Sequence, residues 1–224
     1  MKIAFVSAKG GVGKTTLSVN LASYIKRYYN KRVLLIDLNK YNHSSEIFVE
    51  NGKRFGDRLW QGIIITKYFH IKFLERLPDN FYNDIAILEK IYNYIIFDVP
   101  PDFELILKIS EVSDIIFLVI NSDLFSIYSN YYLYKNLPKE KVKIILNKYD
   151  KSIDIEFIEK IFNKEISAVI EYNKDIAESN NLLIPLPFYK EKGSAIKRID
   201  ELSSLITGER KKISLIEKIF NILG

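Results

Sequence analysis

Near the start of the chain, Lys9-Gly10-Gly11-Val12-Gly13-Lys14-Thr15-Thr16 sets three glycines among two lysines and two hydroxyls. The apolar run Ile3-Ala4-Phe5-Val6 feeds into it, and a helical spacing of apolar residues begins directly behind it. A glycine loop between a strand and a helix is the context in which such a loop cradles phosphate. Glycines let the backbone take positive φ and turn its N–H groups inward, so that several donors and the positive end of the helix converge on phosphate oxygens. Lys14 is then placed to reach the β- and γ-phosphates, and Thr15 to offer its hydroxyl to Mg²⁺, which keeps water in its other octahedral positions. The competing reading is a chance glycine turn, and the flanking strand and helix argue against it.

Three later segments end apolar runs with polar side chains: Leu35-Ile36-Asp37, Phe97-Asp98-Val99-Pro100-Pro101 and Leu146-Asn147-Lys148. Open α/β sheets place ligands at the carboxyl ends of their strands, although an Asp at a strand end is often only a turn or cap residue. Order and spacing carry the weight. With its additional Lys9, the loop resembles the deviant Walker A motif of the MinD/ParA family, and the later segments extend the likeness over most of the chain. The resemblance implies an ATP site formed by Lys9, Gly10, Gly11, Val12, Gly13, Lys14, Thr15, Thr16 and Asn147, the last against adenine. It implies Mg²⁺ held by Thr15 and, through water, by Asp37 and Asp98. It also implies that Lys9 is silent in the monomer and reaches the partner's phosphates in a nucleotide-sandwich homodimer, as an arginine finger supplies charge in trans.

One position departs from the family pattern. Two residues beyond Asp37, where family members usually carry a second aspartate, this sequence has Asn39. An amide orients water but cannot take a proton as a carboxylate can, so the expectation is slow hydrolysis and a long-lived ATP state. Substitution of that role by another carboxylate, such as Glu46, is the alternative. The catalytic set is therefore Lys9, Lys14, Asp37, Asn39 and Asp98.

To position these residues, the chain needs a doubly wound, mostly parallel β-sheet with helices on both faces. Ile3–Val6, Val33–Ile36, Tyr94–Phe97, Ile115–Ile120 and Val142–Leu146 read as central strands, with Ala168–Ile170 as a further one. Between them, Leu17, Leu21, Tyr24, Ile25 and Tyr28, and again Ile155, Ile158, Ile161 and Phe162, recur at helical spacing. Right-handed crossovers between parallel strands then wind the sheet in both directions. Residues 39–92 give no clear period, though Ile63-Ile64-Ile65-Thr66 has the composition of a strand. A helix through Ile196, Ile199, Leu202 and Ile206 ends at Gly208, which divides the expected ATPase domain, 1–207, from a tail, 208–224.

The tail joins Glu209-Arg210-Lys211-Lys212 to an amphipathic helix with Ile213, Ile216, Ile219, Phe220 and Leu223 on one face. A basic cluster ahead of such a helix suits anionic membranes, and it resembles the membrane-targeting tail of MinD-type proteins. Two tails on a dimer would add by effective concentration, so ATP would control attachment. Packing on its own domain or on a partner protein is the competing reading.

Composition narrows the classes further. With no cysteine, disulfides and iron–sulfur clusters are excluded, and with them a nitrogenase-type iron protein. The last tyrosine is Tyr189, which argues against a tyrosine autokinase with a C-terminal tyrosine cluster. Met1 to Val6 reads directly into a strand, so no export signal is expected, and the expected location is the cytoplasm, peripheral at the inner face of the membrane. The net charge of +5 favours polyanions. Three functions follow: a membrane-associated positioning ATPase with a separate activating protein, a ParA-like ATPase binding DNA nonspecifically, or a nucleotide-binding scaffold with little hydrolysis. His43 and His70 lack any cluster of metal ligands, and the run Tyr128, Tyr131, Tyr132 and Tyr134 reads as the faces of one helix.

Overall fold

The computed structural model describes residues 1–40, 45, 53–54 and 62–208. The chain opens with β1 (Lys2–Val6), α1 (Lys14–Tyr29) and β2 (Val33–Asp37), followed by β3 (Lys53–Arg54), β4 (Ile63–Ile65) and β5 (His70–Phe73). The pattern then alternates: α2 (Phe81–Leu88), β6 (Tyr94–Asp98), α3 (Phe103–Val112), β7 (Ile115–Asn121), α4 (Leu124–Tyr134), β8 (Val142–Tyr149), α5 (Ile155–Phe162) and β9 (Ile166–Glu171). Three helices close the described chain: α6 (Lys174–Asn181), α7 (Leu186–Tyr189) and α8 (Ser194–Thr207).

Among the described residues the strands form one sheet in the order β3-β4-β5-β2-β6-β1-β7-β8-β9. Every pairing from β5 to β9 is parallel, while β3 and β4 add an antiparallel edge. All five central runs read from the sequence are strands, as are Ala168–Ile170 and Ile63–Ile65. The strand β5 lies within the stretch that had no legible period.

Strand alternation sorts the apolar residues to two faces. Ile3, Phe5, Leu35, Ile96, Phe117 and Ile145 pack in one core with Leu17, Leu21 and Ile25 of α1 and Ile199, Leu202 and Ile206 of α8. Ala4, Val6, Leu34, Ile95, Leu118 and Ile144 pack in the other with Ile85 of α2, Ile106 and Ile109 of α3, Ile127 of α4 and Ile158 of α5. Each fully buried Ile or Leu stabilises the fold by about 2 kcal/mol, so two filled faces make the sheet a rigid platform. Gly208 ends α8 with φ +70, its N–H donating to the Ser204 carbonyl at 3.1 Å. The tail, with Ile213, Ile216, Ile219, Phe220 and Leu223, lies outside the described residues, as do His43 and Glu46.

This topology matters because parallel strands end on the same edge. Residues 7–13, Asp37, Asp98, Asp123 and Asn147 therefore gather along one rim, with β6 and β2 on one side of β1 and β7 and β8 on the other.

Candidate nucleotide-binding site

The loop between β1 and α1 is held from three directions. At its entry, the Ser7 hydroxyl and the Ala8 N–H both donate to Oδ1 of the buried Asn130 on α4, at 3.1 and 2.8 Å. In its middle, Asn147 Nδ2 donates to the Val12 carbonyl at 2.7 Å and Lys148 Nζ to the Gly11 carbonyl at 2.9 Å. At its exit, Gly13 takes φ +98, and a Cβ there would stand 2.3 Å from Asn147 Nδ2. Only glycine meets both demands. Gly11 also has positive φ, +71, and nothing lies within 4 Å of a Cβ placed on Gly10 or Gly11.

The helix that follows is left open at its start. The helices after β6, β7, β8 and β9 are capped by Asp102, Asp123, Asp154 and Asn173, each accepting from a first-turn N–H. At the start of α1, Gly13 has no side chain to cap with, and no acidic residue lies in the first turn. Its first amides and positive dipole end therefore face the loop with no side-chain acceptor, which is the arrangement that binds phosphate. Thr16 sits in that first turn, its carbonyl accepting from Asn20 Nδ2 at 2.8 Å.

Beside the loop stands a cluster of buried polar groups. Lys14 is largely buried and its Nζ donates to the Lys9 carbonyl at 3.4 Å; burial lowers its pKa, against which the Asp98 charge acts. The Thr15 hydroxyl donates to Asp98 Oδ2. Asp37 and Asp98 are fully buried and stand opposite one another in the β2–β6 register. Burial, with the Asp37 charge second, pushes the Asp98 carboxyl up to about 7 despite hydrogen bonds from Thr15 and Asn39 and the charge of Lys14. Asn39 bridges the pair: its Nδ2 donates to Asp37 Oδ1 at 2.7 Å and to Asp98 Oδ2 at 3.2 Å, while its N–H donates to Asp37 Oδ1 at 2.9 Å. The Ser45 hydroxyl donates to Asp37 Oδ2.

Asp98 Oδ1 is buried with no hydrogen-bond partner. A buried carboxylate oxygen left unpaired is costly unless something binds it. With Thr15 Oγ1 and the second carboxylate, the donor set is all hard oxygen, which suits Mg²⁺ rather than a soft metal. These residues fit the ion.

Lys9 is held apart from this cluster. Its Nζ lies 3.1 and 3.2 Å from the two carboxylate oxygens of Asp123, and 5.3 Å from the centre of the exposed Phe125 ring. The structure thus brings together Lys14, Thr15, Asp37, Asn39 and Asp98, joins Asn147 to the loop, and leaves the Lys9 ammonium at the mouth of α4. Asn130, Asp123, Ser45 and Lys148 are the residues sequence reasoning missed. The one signal was a polar Asn130 on the buried face of α4, in line with Ile127 and Leu133. His70 Nδ1 lies 2.8 Å from the Tyr92 hydroxyl, remote from the loop in the sheet order. Of the tyrosine run, Tyr134 is buried while Tyr128 and Tyr132 are exposed, as faces of one helix require.

Comparison with known proteins bears on the fold and the family. The chain is similar to the ParA family protein MG470 of Mycoplasma genitalium, 24% identical over an alignment of 266 positions that takes in 99% of this chain and 98% of that protein. It is 43% identical over 61 residues to the chromosome-partitioning ATPase Soj of Thermus thermophilus, a match that spans 27% of this chain and 24% of Soj. The fold superposes on the septum site-determining protein MinD of Pyrococcus horikoshii, solved with Mg-ADP, with a TM-score of 0.77, 23% identity, and coverage of 96% of this chain and 98% of that one. Residues 3–185 match the CobQ/CobB/MinD/ParA nucleotide binding domain, and the chain belongs to that family.

Proposed function

We propose that this chain is a Mg-ATP-dependent, dimerising switch ATPase of MinD/ParA type that associates with a membrane surface in its ATP state and positions a cellular structure such as a division site, flagellum or pilus. The observation that carries the reading is the junction of β1 and α1, where an uncapped helix start and two positive-φ glycines stand beside Lys14, Thr15 and two buried carboxylates. The loop amides and Lys14 would hold the triphosphate. Thr15 would give Mg²⁺ its hydroxyl, and Asp37 and Asp98 would each hold one of its waters. Magnesium, when bound, supplies charge neutralisation at the β- and γ-phosphates. Asn147, fixed against Val12, would border the adenine.

Two features shape the cycle. Asn39 would orient water near the γ-phosphate but could not take its proton as a carboxylate can, so hydrolysis would be slow and the ATP state long-lived. Lys9 acts only in trans: its ammonium must leave Asp123 to reach a second chain's phosphates, which couples dimerisation to ATP. The protein would then work in the cytoplasm, at the inner face of the membrane, reset by a separate activating protein.

A second reading, DNA partitioning, draws on the likeness to the chromosome-partitioning ATPase Soj over 61 residues and on the charge of +5. Both readings share the dimer. Size-exclusion chromatography with light scattering, in ADP and in ATP with magnesium, tests it on the wild type and Lys9→Ala. A dimer in ATP alone, lost in the variant, is expected; a monomer in ATP, or a dimer indifferent to Lys9, would defeat the proposal.

A further inference from the structure

Charge is spread unevenly over this chain. It carries 33 lysines and arginines against 28 aspartates and glutamates. Five of the cations gather at the amino ends of β2 and β5, on the edge of the sheet opposite the phosphate loop. Lys31 and Arg32 precede β2, Lys67 stands in the hairpin between β4 and β5, and Lys90 follows α2; all four are exposed. Lys26 joins them from the last turn of α1. Burial, and then the charges of Lys26 and Arg32, hold the imidazole of His70 at the start of β5 below its usual value, which sets both cations near it. The Tyr92 hydroxyl, 2.8 Å from His70 Nδ1, brings the segment that carries Lys90 to the same place.

The backbones that carry these charges are fixed. The Arg32 N–H donates to Asn93 Oδ1 at 3.0 Å, and its carbonyl accepts from the N–H groups of Asn93 and Tyr94 at 2.9 and 3.2 Å. The hairpin is closed by Thr66, whose hydroxyl donates to the Phe69 carbonyl at 2.8 Å and accepts from the Tyr68 N–H at 3.0 Å. Among the described residues, no carboxylate forms an ion pair with any of the five cations. Toward β1 on the same edge, Glu89 and Asp114 are both engaged by Lys2. A rigid face of like charges without counter-charges attracts polyanions.

The course of α8 says which polyanion fits. It lies along α1 and runs the same way, with the Tyr24 hydroxyl donating to Asp200 Oδ1 at 2.7 Å and the Tyr29 hydroxyl 3.5 Å from Ser203 Oγ. Because α1 leads from the phosphate loop to the start of β2, α8 also ends, at Gly208, on the amino edge. The chain there continues with Glu209-Arg210-Lys211-Lys212. A flat anionic surface laid along this edge meets the five cations and the root of the tail together. We propose that Lys26, Lys31, Arg32, Lys67 and Lys90 form a face that docks on the anionic phospholipid headgroups of a bilayer, an electrostatic contact made by the folded domain beside that of the tail. The inference rests on the membrane reading proposed above and adds the part of the domain that meets the lipid. Each lysine or arginine close to an anionic leaflet strengthens binding by about fivefold, within a screening length of about 10 Å at 0.1 M salt. Two linked contacts reinforce one another through effective concentration.

The test is co-sedimentation of the full chain, with magnesium and ATP, on vesicles of phosphatidylcholine alone or with about one-third phosphatidylglycerol. Lys31→Gln, Arg32→Gln, Lys67→Gln and Lys90→Gln together remove four exposed charges and leave the backbone hydrogen bonds of the edge in place. A control variant carries the same exchange at four exposed lysines elsewhere, Lys160, Lys174, Lys192 and Lys197. On the anionic vesicles the first variant should partition at least about tenfold less than the wild type, with a shallower salt dependence, while the control falls by no more than about threefold. Should the four-site variant melt below the assay temperature, Lys67→Gln with Lys90→Gln alone should still lower partition by about fivefold or more. Equal partition of wild type and variant, or equal loss in variant and control, would overturn the assignment of this face. Loss of DNA binding in the variant with vesicle binding intact would overturn it too, in favour of nucleic acid. Wild type that never sediments with anionic vesicles would instead remove the membrane reading, and this inference with it.

Discussion

Asp98 carries the largest electrostatic cost of the site: it is buried beside a second carboxylate, raised from 3.8 to about 7, and has one oxygen unpaired. A carboxyl raised on folding binds more protons in the folded than in the unfolded state between those values. The nucleotide- and magnesium-free protein should therefore lose stability as pH rises from about 4 to about 7, by on the order of 4 kcal/mol in all. Asn39 offsets part of this by donating to both carboxylates. Asn39→Asp replaces those donors with a third negative group, so its melting temperature in EDTA should fall below that of the wild type, most of all above pH 7. With magnesium and ATP, the same variant should hydrolyse faster in a single turnover, by roughly tenfold or more. Equal rates would contradict slow turnover in the wild type. Lys14, Thr15, Asp37 and Asp98 were legible because each follows a strand-like run at a spacing that implies chemistry. Asp123 and Asn130 were not, because their partners in the loop lie 114 and 122 positions away.

At the scale of elements, legibility followed burial. The runs of β1, β2, β6, β7 and β8 are apolar on both faces because helices cover both, and such runs announce themselves. By contrast, β5 has only Ile71 fully buried among His70, Lys72 and Phe73, so neither alternation nor a continuous run marks it. It forms because β2 offers it a parallel edge, which no local pattern records. The tail after α8 carries the membrane proposal, and it is testable as an element. Removing residues 209–224 should abolish ATP-dependent sedimentation with anionic liposomes and leave nucleotide binding intact. Unchanged sedimentation would defeat the membrane role, and DNA binding that survives the deletion and falls steeply with salt would favour partitioning.

At the scale of the whole molecule, the order of the nine strands among the described residues does the assembling. With β1 central, its loop lies between the carboxylates that end β2 and β6 on one side and Asn147 and Lys148 of β8 on the other. Two filled cores hold that rim rigid, and rigidity lets backbone amides wait in place for an anion without reorganising. Isothermal titration of Mg·ATP into the full chain, beside Lys14→Ala, measures this directly. Saturable, magnesium-dependent binding that the variant loses while staying folded is the predicted result; no binding heat from correctly folded wild type would contradict the account.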